Sequence, residues 1–358
     1  MQLISKKHSQ SLVEYLWDLW CIVSIVGIWP RFIEPELLFT SHHTIAIADL
    51  PRELDGLKIA HISDLHFSKH TSKNFLDRVV KKVNKLSCDL IVFTGDLLTY
   101  SILEDPETLQ HFLTALDAPL GKYAILGNHD YAEYVTMAND GSYHKSVNQQ
   151  AAITKGFSRL FSTSQEPQDT LVIEPIAEHE EVLKLFTRSG FKMLHNETIH
   201  IGRSHNWINL TGLGDIMTRQ CLPSKAFQNY DMQAPGIILS HNPDSFNLLQ
   251  SYPGNLYLFG HTHGGQVNLP FIWKKVTPIQ NKFLKSGLFY LHDRYLYINR
   301  GLGAPFAFRW FAPPEIACFT LVRQGRVKTP SWQKIFSQDD SSETVFGTSK
   351  TTIGVPDA

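Results

Sequence analysis

Eight short β-rich runs, separated by helical stretches and mostly followed by polar residues, constrain this chain more than any other feature of its sequence. They are residues 58–63, 89–94, 123–126, 208–213, 236–240, 256–259, 295–299 and 316–322. Runs rich in branched and aromatic residues with polar boundaries are typical of strands. Because helical stretches alternate with them, we predict a layered α/β domain in which helices cover the faces of the sheets.

Two of the intervening stretches have clear helical signals. Residues 75–86 place apolar side chains at helical spacing, with lysines left for the solvated face. Residues 105–116 begin with Asp105 as an N-cap and Pro106 at the first helical position. Both are predicted to cover a sheet.

Five polar clusters come directly after strand-like runs. They are Asp-Leu-His at 64–66, Gly-Asp at 95–96, Gly-Asn-His-Asp at 127–130, Ser-His-Asn at 240–242 and Gly-His-Thr-His at 260–263. Ligands of α/β sheets gather at the carboxyl ends of strands, so the five clusters could converge on one place. Asp, His and Asn side chains suit Mn, Fe, Zn or Mg rather than soft metals. Each cluster alone is a weak signal, but all five in this order are highly specific.

In this order the clusters resemble those of the calcineurin-like metallophosphoesterase superfamily, over about residues 57–322. The resemblance implies a four-layer fold, a two-sheet β-sandwich flanked by helices. It also implies two divalent metal ions, with Mn²⁺ the first expectation and Mg²⁺, Fe²⁺ or Zn²⁺ the alternatives. The implied ligands are Asp64, His66 and His263 for the first ion, Asn128, His241 and His261 for the second, and Asp96 as the bridging carboxylate.

The same resemblance implies that His129 is a catalytic residue and not a ligand. In this role it steadies the phosphoryl group or protonates the leaving oxygen. The family often has a second Asp three residues after the bridging one, which orients this histidine, but here the position is Thr99. Asp130 and water remain as candidate partners of His129.

Finer features resemble a membrane-associated bacterial subgroup of these enzymes. The segments are residues 56–66, 182–197, 260–270, 299–303 and 313–315. The closest resemblance is to the chlamydial-type UDP-2,3-diacylglucosamine pyrophosphatases of lipid A biosynthesis. It implies a lipid-linked nucleotide substrate, UDP-2,3-diacylglucosamine, cleaved at its pyrophosphate to UMP and 2,3-diacylglucosamine 1-phosphate.

Two other functions stay open at this point. One is a phosphoesterase of the same fold that acts on another phospholipid or phosphodiester. The other is a metal-binding scaffold without catalysis, against which the intact ligand set argues. Arg300 and Arg309 are either phosphate-binding residues, since Arg forks onto phosphate oxygens, or members of surface salt bridges.

Residues 12–29 are the most apolar stretch of the chain. Glu14 and Asp18 interrupt it, and the charge-free run from Leu19 to Pro30 is shorter than the roughly 20 residues of a spanning helix. The sequence leaves open an interfacial anchor, a spanning helix and a helix packed on the domain. Because a nucleotide substrate is cytosolic, we favour a peripheral, monotopic position on the cytoplasmic side of the bacterial inner membrane, with a single-pass anchor as the alternative.

The predicted organisation has three parts. Residues 1–50 form the apolar helix and its lead-in, residues 51–330 the catalytic domain, and residues 331–358 a flexible polar tail. Within the domain, residues 131–180 are predicted to be an insert, either a solvated excursion or a cap with an apolar face over the site.

Composition excludes several classes of protein. A net charge of -1 with 19% charged residues does not fit a disordered chain or a general nucleic-acid binder, so no nucleic-acid partner is expected. The 4 cysteines are scattered and form no CxxC pair, which excludes a zinc ribbon and a disulfide scaffold. Of the 17 histidines, five stand at the strand ends described above.

Overall fold

The structure is a computed structural model that describes residues 12–138, 140–146, 170–203, 206–270, 273–306 and 308–324. The amphipathic part of the predicted insert, almost all of it within 147–169, lies outside the described residues, and so does the predicted polar tail 331–358.

The strands and helices are numbered in chain order. The strands are β1 Phe39–Ile47, β2 Lys58–Ile62, β3 Leu90–Thr94, β4 Lys122–Ile125, β5 Val135–Met137, β6 Tyr143–Lys145, β7 Thr170–Leu171, β8 Phe191–Met193, β9 Glu197–Arg203, β10 Asn206–Gly212, β11 Gly236–Leu239, β12 Leu256–Phe259, β13 Gly287–Leu291, β14 Arg294–Ile298 and β15 Glu315–Arg323. The α-helices are α1 Leu12–Val23, α2 Lys73–Lys85, α3 Pro106–Ala115, α4 Glu180–Arg188, α5 Pro223–Ala226, α6 Phe246–Leu249 and α7 Trp273–Val276. A π-helical segment, Ser24–Ile33, continues α1, and 3₁₀ turns are found at Glu34–Glu36, Arg52–Leu54, Pro243–Ser245 and His263–Gly265.

Two six-stranded sheets form the body of the molecule. Their strand orders are β1-β15-β2-β3-β4-β8 and β13-β14-β12-β11-β10-β9, and β5, β6 and β7 form a small third sheet. Strands β2, β3 and β4 run parallel to one another, as do β10, β11, β12 and β14. The carboxyl ends of the central parallel strands therefore share one edge within each sheet.

Apolar side chains fill three layers of core. Ile59 and Val92 of the first sheet are fully buried in one cluster with Leu210 and Leu258 of the second, which places that cluster between the sheets. The neighbouring residues along the same strands point the other way. In the first sheet they pack against α2, α3 and α4, and in the second against α5 and α6. This is the predicted four-layer arrangement, and strands buried on both faces explain the nearly continuous apolar runs in the sequence.

The eight predicted strands and both predicted helices are confirmed. Asp105 caps α3 by accepting a hydrogen bond from the backbone N–H of Thr108. One difference concerns the lead-in, because residues 39–47 form β1, which pairs in parallel with β15 as an edge strand of the first sheet. Its polar residues, such as the two histidines at 42 and 43, hide the strand pattern in the sequence.

The N-terminal apolar stretch forms one continuous helix from Tyr15 to Glu36, with a mean hydropathy of 1.4. Only 6% of its most apolar window is buried inside the protein, and Trp17, Trp20 and Ile22 are exposed. Apart from its C-terminal end, where Pro30 and Glu34 are buried, the helix is therefore not packed on the domain, which argues against one of the three alternatives. Its 22 residues are long and apolar enough to cross a membrane, so it is compatible with membrane anchoring in either of the other two ways.

Candidate dimetal site

The five polar clusters meet where the carboxyl ends of the two sheets come together. Backbone hydrogen bonds connect the loops that leave neighbouring strands, for example from the N–H of Asp64 to the carbonyl of Gly95. Across the two sheets, the N–H of His261 donates to both carboxylate oxygens of Asp64, at 2.9 and 3.1 Å. Residues that lie up to 199 positions apart in the sequence, from 64 to 263, thus form one buried group.

We call this group the dimetal cluster. Its members are Asp64, His66, Asp96, Asn128, His241, His261 and His263. Each of them is at least 94% buried. Three sets of ligand atoms are close enough together to hold an ion: Asp64 with His66 and His263, Asp96 with His241 and His261, and His66 with Asp96 and His129. The first two sets contain only members of the cluster, and His129 of the third is described below.

The first set surrounds a point between β2 and β12. His66 Nε2 lies 3.1 Å from His263 Nε2, and His263 Nε2 lies 3.7 Å from Asp64 Oδ1. Beside the second set lies the side-chain amide oxygen of Asn128. His261 Nδ1 lies 3.1 Å from Asn128 Oδ1 and 3.2 Å from His241 Nε2.

Asp96 lies between the two sets. Its Oδ2 is 3.4 Å from His66 Nε2 and 3.1 Å from His241 Nε2, and no described residue gives that oxygen a hydrogen bond of good geometry. Its other oxygen, Oδ1, accepts the backbone N–H of His129 at 2.9 Å. A carboxylate held by one oxygen, with the other free between two groups of imidazoles, is suited to bridge two cations.

These spacings fit bound metal ions. Ligand atoms about 2.1 Å from a shared ion lie about 3.0–3.4 Å from one another, which is close to the separations within each set. Imidazole nitrogens at such distances need a proton or a cation between them, because two lone pairs repel. A buried carboxylate oxygen without a hydrogen bond has the same need.

Hydrogen bonds to backbone carbonyls orient three histidine rings so that the nitrogen without a proton faces the centre of the cluster. His241 Nδ1 lies 2.7 Å from the carbonyl of Thr94, His261 Nε2 lies 3.1 Å from that of Pro278, and His263 Nδ1 lies 3.2 Å from that of Gly303. A carbonyl can only accept, so each of these nitrogens carries the proton and the opposite one is free to bind metal. Asn128 is oriented in the same way, because its Nδ2 donates to the carbonyl of Val135 and leaves Oδ1 facing the centre.

Burial and charge set the protonation of the cluster. Burial lowers the pKa of His66 and His263 well below the usual range, and lowers the pKa of His261 to about 3. Burial also lowers the pKa of His241, but the adjacent Asp96 carboxylate outweighs it and raises that pKa to about 10. Positive charge is therefore strongly favoured beside Asp96, as it would be for a cation-binding site.

Backbone strain is concentrated at the ligands. Asp64, His66, Asp96, His261 and His263 all have positive φ, between 44° and 71°. Each such conformation of a non-glycine residue costs about 1–3 kcal/mol and persists only where the surroundings enforce it. Five of seven cluster members sharing this strain indicates a functional site.

Gly260 shows how closely the two sheets approach at the cluster. A Cβ at this position would collide with Ser63 Oγ and with Oδ2 of Asp64. Only glycine therefore lets the end of β12 pass next to the end of β2, which brings His261 and His263 to Asp64.

His129 lies beside the cluster with a different pattern of hydrogen bonds. Its Nδ1 accepts the backbone N–H of Tyr100 at 3.0 Å, and burial lowers its pKa to about 4. The ring is thus neutral at physiological pH, with its proton on Nε2. Asp130, one of the two partners considered from the sequence, instead accepts the backbone N–H groups of Leu98 and Gly127.

Two tyrosines that sequence reasoning did not select surround His129. The ring centroid of Tyr134 lies 4.5 Å from that of His129, and Tyr100 packs edge-on against Tyr134 at 5.1 Å. Both are only partly buried, whereas His129 itself is buried. Tyr100 has a left-handed backbone (φ 55°), a feature that no local motif in the sequence indicates.

The two predicted phosphate-binding arginines occupy different surroundings. Arg300 Nε donates to the buried carboxylate of Glu315 at 3.1 Å, and its side chain passes next to Gly264. Arg309 is 1% exposed, and its guanidinium donates to the carbonyls of Arg300, Gly301, Gly303 and Ala312. Neither makes a salt bridge between two exposed groups.

Comparison with known proteins agrees with this geometry. Residues 57–265, which include the whole dimetal cluster, match the calcineurin-like phosphoesterase family. UDP-2,3-diacylglucosamine pyrophosphatase LpxG of Chlamydia trachomatis is 39% identical over 306 residues, which cover 82% of this chain and 92% of that protein. The LpxG of Chlamydia muridarum is 38% identical over 305 residues, with the same shares covered. The metallophosphoesterase YkuE of Bacillus subtilis is 32% identical over 302 residues, which cover 82% of this chain and 88% of that protein.

Proposed function

The chain belongs to the calcineurin-like phosphoesterase family of metal-dependent hydrolases, and from that premise we propose that it hydrolyses the pyrophosphate bond of UDP-2,3-diacylglucosamine. The products are UMP and 2,3-diacylglucosamine 1-phosphate. The observation that carries this proposal is the 39% identity to a pyrophosphatase of this specificity over 92% of its length, together with a complete dimetal cluster.

Two divalent ions, which we propose to be Mn²⁺, would supply the electrophilic clamp on the phosphoryl oxygens and the activated water of the reaction. The residues of the dimetal cluster would hold them, with Asp96 shared between the two. The neutral Asn128 in place of a third carboxylate limits the negative charge that faces an anionic substrate.

His129 supplies a hydrogen-bond donor to the substrate in this proposal. The backbone N–H of Tyr100 occupies Nδ1, so the only proton on the ring is at Nε2. A ring nitrogen of His129 lies within 4.8 Å of ligand atoms of both His66 and Asp96, which is close enough to reach a phosphoryl group bound there. Nε2–H would then steady a phosphoryl oxygen, because a neutral ring that gave up this proton would be left as an imidazolate anion.

An acylated substrate requires an apolar approach to this polar site. The helix from Tyr15 to Glu36 would hold the protein at the membrane in which the acyl chains are embedded. Tyr100 and Tyr134 would form a wall beside the reacting phosphates. We place the enzyme on the cytoplasmic side of the bacterial inner membrane, because the UDP-linked substrate is a cytosolic nucleotide derivative.

A direct assay tests the specificity. Chelator-stripped full-length protein is supplied with Mn²⁺ and given UDP-2,3-diacylglucosamine in mixed micelles, and UMP is measured by chromatography. We expect UMP and the diacylglucosamine 1-phosphate in equal amounts, and little hydrolysis of UDP-glucose, which lacks the acyl chains.

Asp96→Asn serves as the inactive control, matched by Asp117→Asn on the exposed surface. Activity that survives in Asp96→Asn would mean that the assignment of Asp96 as the bridging ligand is wrong. Hydrolysis of bis(p-nitrophenyl) phosphate without UMP release would reject the proposed substrate and favour a phosphodiesterase of the same fold.

A further inference from the structure

The apolar N-terminal helix is connected to the metal centre by a buried carboxylate, Glu34. This residue lies in the 3₁₀ turn at the end of the helix and is 3% exposed. Its two oxygens have different partners. Oε2 accepts Trp29 Nε1 of the helix at 2.9 Å, and Oε1 accepts the backbone N–H of Ala312 at 2.6 Å.

Ala312 belongs to the β14–β15 loop, residues 299–314, which passes next to the dimetal cluster. A second hydrogen bond joins the same two parts of the chain, from the N–H of Arg309 to the carbonyl of Pro30 at 2.8 Å. The Pro30 carbonyl is available because this segment is π-helical, so each carbonyl pairs with the N–H five residues later, as that of Trp29 does with Glu34. The residue five positions after Pro30 is Pro35, which has no N–H to donate. The helix is thus joined to this loop at two points.

The loop in turn holds a ligand of the dimetal cluster. The Arg309 guanidinium binds four carbonyls of the loop, including that of Gly303, and the Gly303 carbonyl accepts the Nδ1 proton of His263. On its other side, the N–H of Gly303 donates to the carbonyl of Asp64 at 2.7 Å. A Cβ on Gly303 would collide with the Leu65 carbonyl, so the loop has little room to move there.

Electrostatic attraction also connects Glu34 and Asp64 to the Arg309 guanidinium. Burial lowers the pKa of Arg309 to about 10, while Asp64, Glu34 and Glu315 oppose that shift, so the guanidinium keeps its charge at neutral pH. Glu34 therefore both accepts a hydrogen bond from the loop, donated by Ala312, and helps to neutralise the Arg309 cation that organises the loop.

From these contacts we infer that Glu34 is a positioning residue for the metal centre, which ties the apolar helix through the β14–β15 loop to His263. The inference does not depend on which phosphoester is hydrolysed. Groups that orient a metal ligand commonly contribute about 10–100-fold to metal affinity. Here the Gly303 carbonyl orients His263, Arg309 holds that carbonyl, and Glu34 acts on Arg309 and its loop, two steps behind the orienting group. We expect the lower end of that range, about tenfold.

The test measures metal affinity by calorimetric titration of Mn²⁺ into chelator-stripped full-length protein in detergent micelles. Glu34→Gln keeps the size of the side chain, but its amide nitrogen cannot accept a hydrogen bond from Trp29. We expect the Kd of at least one Mn²⁺ to rise about tenfold. The matched control is Glu36→Gln, two residues later, whose side chain pairs with Arg78 on the surface and should leave both Kd values unchanged.

A second variant separates positioning from general loss of structure. Trp29→Phe removes the indole N–H that would face the amide introduced by Glu34→Gln. If Glu34 acts through these hydrogen bonds, Glu34→Gln should weaken Mn²⁺ binding less in the Trp29→Phe background than in the native one.

Thermal unfolding of the metal-free protein, measured beside the Mn²⁺ affinities, shows whether Glu34 only stabilises the fold. Unchanged Mn²⁺ affinities in Glu34→Gln, together with a lower Tm of the metal-free protein, would show that Glu34 only stabilises the fold and would overturn the inference. Should Glu34→Gln fail to fold, Trp29→Phe alone decides the question, because it removes one donor and leaves the carboxylate in place. An unchanged affinity in Trp29→Phe would then reject the connection.

Discussion

His129 differs from the ligand histidines in the group that its outer nitrogen meets. In His241, His261 and His263 that nitrogen faces a carbonyl, whereas in His129 it accepts a backbone N–H from Tyr100. His129 therefore keeps its proton on the remaining nitrogen, Nε2, and cannot bind a metal ion through it. This separates the proposed hydrogen-bond donor to the substrate from the proposed metal ligands, although all four lie in one buried group.

The separation predicts the effect of His129→Gln. We expect kcat to fall about 10²–10³-fold, the range for loss of one hydrogen-bond donor to the charge that develops on the reacting group, while the protein still binds two metal ions. Metal content per chain by mass spectrometry, together with kcat, checks this. His111→Gln, on the exposed side of α3, is the control. Loss of one metal ion in His129→Gln would identify this residue as a ligand instead.

His61 predicts a pH dependence of stability that is independent of the metals. Thr94 Oγ1 donates to Ser63, so it must accept the Nε2 proton of His61, and the imidazole is neutral with no partner for Nδ1 among the described residues. Burial lowers its pKa to about 3, against 6.5 for an unperturbed histidine. Below pH 6.5 the unfolded chain binds a proton that the folded chain does not, so stability falls as the pH falls towards 3.

His61→Gln tests this prediction, because the amide nitrogen can still donate to Thr94 but does not titrate. Between about pH 6 and 5 we expect the native protein to lose about 1.4 kcal/mol more unfolding free energy than the variant. Urea denaturation of the metal-free proteins measures the difference. Equal pH slopes for the two proteins would mean that His61 is protonated in the folded state.

At the scale of elements, the site depends on how strands end. β2, β3 and β4 of one sheet and β11 and β12 of the other each end just before a residue of the dimetal cluster. Left-handed residues turn the chain sharply at several of these points. The sandwich brings the two sets of strand ends together, so ligands from both sheets share one centre. The fold itself, rather than any single loop, produces the dimetal cluster.

Gly260→Ala should disrupt this junction. The added methyl collides with Asp64 and Ser63, both of which are fully buried and have no free space to move into. We expect metal binding to be weakened at least about tenfold while the circular dichroism spectrum of the protein is retained, since the strands have other contacts. Gly27→Ala, where nothing lies near the added Cβ, is the control. Native affinity in Gly260→Ala would show that the two sheets can separate without harm to the centre.

The elements also show what the sequence can and cannot predict. Strands buried on both faces, such as β3, give continuous apolar runs that local patterns predict well. β1 lies at a sheet edge, mixes polar with apolar residues and is fixed by β15, a strand near the other end of the chain. Local patterns cannot report such pairing.

The same limit applies at the site. The polar residues at the strand ends predict the members of the dimetal cluster, because short sequence motifs contain both their residue types and their order along the chain. They do not predict the Tyr100 N–H on His129 or the Glu34 carboxylate. Both depend on backbone turns and on contacts between distant parts of the chain, for which a sequence has no local signal.

At the scale of the whole molecule, the N-terminal helix differs from the rest of the enzyme in the exposure of its apolar side chains. They are exposed in the helix and mostly buried elsewhere. Twelve large apolar side chains of the helix are more than 36% exposed between Tyr15 and Ile33, whereas the helix first hydrogen-bonds to the β14–β15 loop at Pro30. Burying one such side chain in a membrane contributes about 1.5–3 kcal/mol. Several of them together would hold the protein at a lipid surface.

A chain that begins at Ser24 would lack α1 but keep Trp29, Pro30 and Glu34. We expect this truncated protein to lose at least about tenfold in binding to phospholipid vesicles, measured by co-sedimentation, and to keep native kcat on bis(p-nitrophenyl) phosphate. Its rate on UDP-2,3-diacylglucosamine in vesicles should fall with the loss of binding, because the substrate stays in the membrane. Leu248→Ser, which removes an exposed apolar side chain from α6, should change none of these quantities. Full vesicle binding by the truncated protein would place the membrane contact outside α1, for example in the five exposed apolar side chains that remain between Ile25 and Ile33. A lower kcat on the soluble diester would show that α1 itself, and not only the hydrogen-bonded end of the helix, influences the metal centre.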